Sequence, residues 1–357
     1  MQPLRKVISK LKLRASYGQV GNANLGGRRF AYLSTITDDY ETLNMYKWGL
    51  DSSYGLTGMA EGEFAVQDLT WEIVNKMNLG VELGFLNGMI DLQLDYFDER
   101  RKDIFMPRES VPMTAGFMKQ PWKNFGKVTN QGVEVSLNVN KQFGKDLFVS
   151  LMGTFTYAHN EITEKDEPSA VVGTNRAETG HPVGQLTGYI AEGLFTADDF
   201  EDVSTGKLKE GIPTQSFVGK LRPGDIRYRD VNGDGKVDVF DKSPIGGTKD
   251  PEIVYGFGLN MKYKNLDFGA LFQGIGRSWN ILGSSIIPGA NRGVTGNMFT
   301  NANDRWTVDN PSQNVFYPRL DDGINSNNNQ SSTWWLRNMS FFTFKKTLNL
   351  VISLPKN

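Results

Sequence analysis

Apolar and polar residues alternate one by one through segment after segment of this chain, a period that fits β-strands with one dry and one wet face and does not fit helices. Leu11, Leu13, Ala15 and Tyr17 alternate with Lys12, Arg14 and Ser16. Met77, Leu79, Val81, Leu83 and Phe85 alternate with Asn78, Gly80, Glu82 and Gly84. The same pattern sets Ile90, Leu92, Leu94 and Tyr96 against Asp91, Gln93 and Asp95, and Val133, Val135, Leu137 and Val139 against Glu134, Ser136, Asn138 and Asn140. Leu147, Val149, Leu151, Phe155 and Tyr157 lie opposite Ser150, Thr154 and Thr156. Tyr255, Phe257, Leu259, Met261 and Tyr263 alternate with Gly256, Gly258, Asn260 and Lys262, and Leu266, Phe268, Ala270 and Phe272 follow, with Asp267 and Gln273 opposite. An eighth, less regular segment runs from Trp334 to about Leu354.

These segments reach ~10 residues or more, above the ~5–6 usual for strands of globular proteins. Their connections alternate strictly. Asn87-Gly88, Lys141 to Lys145 and Lys264-Asn265 are tight, whereas residues 22–70, 104–124, 163–252 and 276–332 form long excursions. A soluble antiparallel sheet with one wet face is the simpler alternative, but it rarely places every long loop at one end, as a transmembrane barrel does. The expectation is an all-β fold: an antiparallel transmembrane β-barrel segment of about eight strands, with long extracellular loops and short periplasmic turns. Leu92, Leu94, Val135, Leu137, Val149 and Leu151 are expected to face lipid, and Gln93, Glu134 and Ser136 the lumen. Trp71, Tyr96, Tyr157, Tyr255 and Tyr263 stand near strand ends, as an aromatic girdle would.

Composition narrows the function. The formal net charge is −1, which argues against a nucleic-acid binder driven by phosphate neutralisation. Cysteine is absent, so no disulfide, thiol nucleophile or Cys-ligated metal can exist. The two histidines, His159 and His181, cannot build a His-rich metal centre, and neither stands in a pattern that marks a catalytic base. No apolar run approaches the ~18 residues of a membrane helix. Met1 to Lys10 lacks the apolar core of a secretory signal. Asn325 to Ser332 reads as a polar loop tip, and Asp198-Asp199 and Asp321-Asp322 as solvated loop acids. No constellation suggests catalysis, and the expectation is a protein that is not an enzyme.

One motif has metal-ligand spacing. Asp230, Asn232 and Asp234 fall at positions 1, 3 and 5 of a calcium-type loop, with Gly235 at the sharp turn. The Lys236 carbonyl, Asp238 and Asp241 would complete the set. Asp replaces the usual Glu at the last position, and the flanks are not amphipathic helices, so a turn rich in Gly and Asp is the competing reading. Trp279, Trp306, Trp334 and Trp335 lie in or beside long loops. They would serve either as platforms for sugars or peptides at a pore mouth, or as packing between loops.

Several blocks resemble the SusC/RagA family of TonB-dependent outer-membrane transporters. They are Leu11 to Asn22 (LKLRASYGQVGN), Asn124 to Glu134 (NFGKVTNQGVE) and Pro223 to Gly235 (PGDIRYRDVNGDG). Gly180 to Gly184, Gly188 to Phe195, Arg305-Trp306, Asn310-Pro311 and Pro318 to Leu320 are also similar, and in order. The resemblance implies a barrel of about 22 strands in the outer membrane of Bacteroidetes, plugged by an N-terminal domain. It implies import of oligosaccharides or peptides with a SusD-like lipoprotein partner, driven by TonB-ExbB-ExbD through the plug. Against that pattern, residues 1–357 read as a partial receptor barrel domain, without plug, N-terminal strands or signal peptide. The stretch from Phe342 to Asn357 departs from the family's closing strands and suggests a truncated or frameshifted end. A passive porin-like or adhesin barrel, and a soluble calcium-binding β protein, are the alternatives.

Overall fold

The structure is a computed structural model that describes residues 7–37, 46–48, 54–56, 60–117, 119–283, 299–321 and 325–352. Its eight long strands are β1 (Ile8–Asn22), β2 (Glu72–Phe85), β3 (Ile90–Pro107), β4 (Trp122–Phe143), β5 (Leu147–Glu164), β6 (Ile253–Tyr263), β7 (Leu266–Gly276) and β8 (Phe341–Ile352). They form one antiparallel meander in chain order, with β1 and β8 at open edges. Among the described residues the only helical elements are three short 3₁₀ turns. No helix among the described residues is long and apolar enough to cross a membrane.

The register runs as straight rows across the sheet. Leu13, Val81, Leu94, Val135, Phe155, Tyr255, Gly274 and Phe342 are successive cross-strand partners. Leu11, Leu83, Leu92, Leu137, Gly153, Phe257, Phe272 and Phe344 make the next row on that face. The row between them is Lys12, Glu82, Gln93, Ser136, Thr154, Gly256, Gln273 and Thr343. Because partners share a face and neighbours along a strand do not, one face is apolar and the other polar over all eight strands. Leu94 and Gln93 are therefore on opposite faces, as the alternation requires. On the apolar side the rings of Phe257, Phe272 and Phe342 stack across three strands at 4.8–5.7 Å.

The dimensions suit a bilayer. Along the 11 residues of β6, the apolar face runs from Ile253 to Tyr263. At about 3.3 Å per residue and a tilt of about 40°, that height is about 25 Å, the thickness of a barrel's lipid-facing band. Tyr96 and Tyr157 flank Val133 in one row at the long-loop end of this face, and Tyr263 marks the other end.

The tight turns explain the short connections. Leu86, Asn87 and Gly88 all take positive φ between β2 and β3, a run that Asn and Gly tolerate better than other residues. All the long connections leave from the opposite end of the sheet. The last strand differs from the expected Trp334–Leu354. Trp334 belongs to the preceding loop, Leu354 lies outside the described residues, and pairing begins at Phe341. It is regular to Lys345, then slips: Lys345 and Asn349 pair with Leu271 and Gly269. The slip is two residues.

Candidate functional site

The polar face carries a ladder of charges. Lys10, Lys12 and Arg14 of β1 all reach Glu82 of β2, at 2.8, 3.1 and 3.1 Å. Arg14 also crosses β2 to Asp95 of β3 at 2.9 Å. The residue between them is Gly80, whose missing side chain leaves the space that the Arg14–Asp95 pair fills.

Towards the long-loop end this face becomes concave. A cavity of about 640 Å³ is bounded by β2, β3, β4, β5 and the start and end of the loop 165–252. Its floor includes Val74, Ile104, Met106, Val128 and Ile162, and Asn130 and Asn160 sit directly opposite each other across β4 and β5. The loop folds back onto β5: Ile162 N–H donates to His181 O, Gly180 N–H to Ile162 O, and Val183 N–H to Asn160 Oδ1 at 2.7 Å. His181 is thus a backbone docking point, and His159 pairs with Glu252 on the apolar-face side at 2.6 Å. Burial would raise the Glu252 carboxyl, but the His159 and Arg277 hydrogen bonds outweigh it and hold it below the ordinary range.

Beyond the strands, the loops 165–252 and 299–340 pack into one body. Tyr189, Leu194, Ile226, Tyr228, Val237, Trp306, Tyr317 and Trp335 form its core. The block Pro223 to Gly235 has a structural meaning here. Gly224 takes a φ of +87° and lies under the Trp306 ring, where a Cβ would collide. Asp225, fully buried, accepts from Arg319 at 3.1 Å, from Asn325 at 3.0 Å and from Asn328 at 3.1 Å. Asn327 and Asn328 are 0% and 2% exposed. The segment Asn325 to Ser332 is therefore not a polar tip: its amides satisfy buried backbone groups and a buried carboxylate. Asp199 likewise caps a 3₁₀ turn by accepting from the Thr196 N–H and hydroxyl. Asp321 pairs with Arg319 at 2.9 Å, and Asp322 lies outside the described residues.

The tryptophans separate into two groups. Trp335, 1% exposed, donates its Nε1–H to Asn328 O, and Trp306 is also buried, so both hold loops together. Trp279 and Trp334 are half-buried; Trp279 lies against Gly246 and Gly247, and Trp334 donates to Phe316 O.

The calcium-type loop closes on itself. Asp230 accepts from the N–H groups of Gly233 and Gly235 at 2.7 and 2.8 Å. Asn232 accepts from Asp234 N–H, Asp234 from Lys236 N–H, and Asp238 from Phe240 N–H. Asp241 is buried and takes the Val231 and Asp238 N–H groups at 2.7 and 2.8 Å. Among the described residues no three His, Asp or Glu side chains gather as a metal site. Each of the five side chains that the spacing assigns to a cation thus accepts at least one N–H of the loop's own backbone.

A sheet with one lipid-suited face, one polar face and every long loop at one end defines a segment of a transmembrane β-barrel wall. Residues 4–354 match the family described as TonB dependent receptor-like, beta-barrel, and the chain belongs to that family. TonB-dependent receptor P26 of Formosa agariphila is 28% identical over 322 residues, covering 87% of this chain and 30% of that protein. TonB-dependent receptor SusC of Bacteroides thetaiotaomicron is 29% identical over 280 residues, covering 73% of this chain and 24% of that protein. Among solved structures, the RagAB peptide importer in its closed-closed state superposes with a TM-score of 0.65 at 23% identity, covering 98% of this chain and 35% of that one. That likeness shows the fold. The chain spans about a third or less of the proteins it matches.

Proposed function

We propose that this chain is part of the wall and outer loops of an outer-membrane transporter that imports oligosaccharides or peptides, and that it performs no bond chemistry. The observation that supports this most is the roofed cavity on the polar face, a concave site at the loop end of the lumen side. The family adds the energy source: TonB-ExbB-ExbD would act through a plug domain, and a SusD-like lipoprotein would sit over the loops. Lipid would cover the apolar face. The likeness to the TonB-dependent receptor SusC and to the RagAB peptide importer supports the same reading.

Energy dependence tests it. In cells carrying the intact transporter, uptake of its nutrient should stop when TonB is removed or the proton gradient is dissipated. Flux that continues unchanged would make the barrel a passive porin.

A further inference from the structure

We propose that the cavity on the polar face takes a peptide backbone flanked by aliphatic side chains, and not a sugar; this rests on the importer reading above and names its substrate class. The first observation is charge. Glu99 is paired with Lys76 at 2.7 Å, Arg101 with Glu72 at 3.1 Å, and Lys165 with Glu178 at 2.6 Å. Lys127 pairs with Glu164, and Glu252 with His159 and Arg277. Among the described residues, every charged side chain at the cavity apart from Asp250 is thus met by an opposite charge, and the site has little attraction left for a polyanion or polycation.

The second observation is the floor. Val74, Ile104, Met106, Val128 and Ile162 make an aliphatic well on a face that is otherwise polar, and among the described residues no aromatic ring lines it. Sugars present C–H faces that stack on aromatic rings and hydroxyls that need many polar partners. Aliphatic side chains need only dry volume and shape.

The third observation is hydrogen-bonding capacity. Asn130 gives its amide N–H to Glu99 Oε2 at 3.4 Å, which leaves its Oδ1 without a protein donor among the described residues. Asn160 accepts the Val183 N–H on its Oδ1, which leaves its Nδ2 without a protein acceptor among the described residues. The two residues face each other across one β-pair. They present one free acceptor beside one free donor, the complement of the N–H and C=O of a peptide. A peptide bound there would exchange both bonds while its side chains enter the well.

The test uses the intact transporter, equilibrated in separate runs with a mixed peptide pool and a mixed oligosaccharide pool, with retained ligands read by mass spectrometry. Peptides enriched in Val, Ile, Leu and Met should be retained, and oligosaccharides should not. Asn160→Asp keeps the acceptor for Val183 and removes the free donor. It should weaken peptide binding about tenfold, with protease resistance of the loop unchanged. Peptides bound equally well by Asn160→Asp would overturn the assignment to this cavity. Retention of oligosaccharides alone would overturn the peptide class and leave the importer reading standing. Retention of neither pool, with uptake independent of TonB, would remove both.

Discussion

Asp166 ties two outer loops together: it accepts from the Ser110 N–H and hydroxyl at 3.0 and 2.8 Å and pairs with Arg108 at 3.0 Å. Burial alone would raise its carboxyl, but the Arg108 and Ser110 bonds outweigh burial and hold it below the ordinary value. A carboxyl lowered by folding adds stability above its unfolded pKa of about 4 and loses it as the pH falls through the folded value. Proteolysis of the loop 108–121 should therefore quicken on acidification below about pH 4. Asp166→Ala should give the same susceptibility at neutral pH, at a cost of about 1–3 kcal/mol, since it strands the Ser110 and Arg108 donors. At Asp230 to Asp241, the backbone bonds predict a loop that keeps its shape without a cation. A chelator should leave its protease resistance unchanged. Resistance that falls with chelator and returns with millimolar calcium would establish the metal reading of the spacing.

At the scale of the strand, the two faces answer differently to the same charge. Leu94 lies mid-band on the apolar face, whereas Gln93 lies on the polar face with Glu82 and Ser136 as partners. Leu94→Lys should cost about 2–4 kcal/mol of barrel stability, as for a cation on a lipid face near the midplane. Gln93→Lys should cost little, because its side chain stays in a wet lumen beside Glu82. Urea titration of the intact barrel refolded into vesicles measures both. Equal costs at the two sites would mean that the faces are not lipid and lumen.

For the whole molecule, the sheet and the outer-loop body are separable in their energetics. The loop core rests on Trp335, which is enclosed with Tyr189, Tyr228 and Tyr317 and hydrogen-bonded to Asn328 O. Trp335→Ala should cost that body about 3–5 kcal/mol. Loop cleavage by protease should rise while the barrel keeps its heat-resistant gel mobility, because no described residue of the eight long strands belongs to this core. The open edges at β1 and β8 leave ladder groups that lipid cannot satisfy, so the sheet needs further strands to stand in a membrane.

The strands, their faces and the end from which the long loops leave were legible in the residues. Alternation is a local period of two, and once the tight turns at Asn87-Gly88 and Lys264-Asn265 set the register, each face follows by addition. The family blocks were legible too, but not what they do. The Pro223 to Gly235 block gives no sign in the sequence that its Asp225 is fully buried. Asn325 to Ser332 looks like a solvated tip and folds as core. The Asn130–Asn160 pair and the cavity beside it carry no sequence signal, since they join residues of different strands to a loop. The burial of Asn325 to Ser332 likewise rests on bonds such as Asn328 Nδ2 to Asp225 Oδ1 at 3.1 Å, across 103 positions of chain. No local pattern encodes a contact of that range; it exists only when burial makes each polar group's sole available partner another part of the fold.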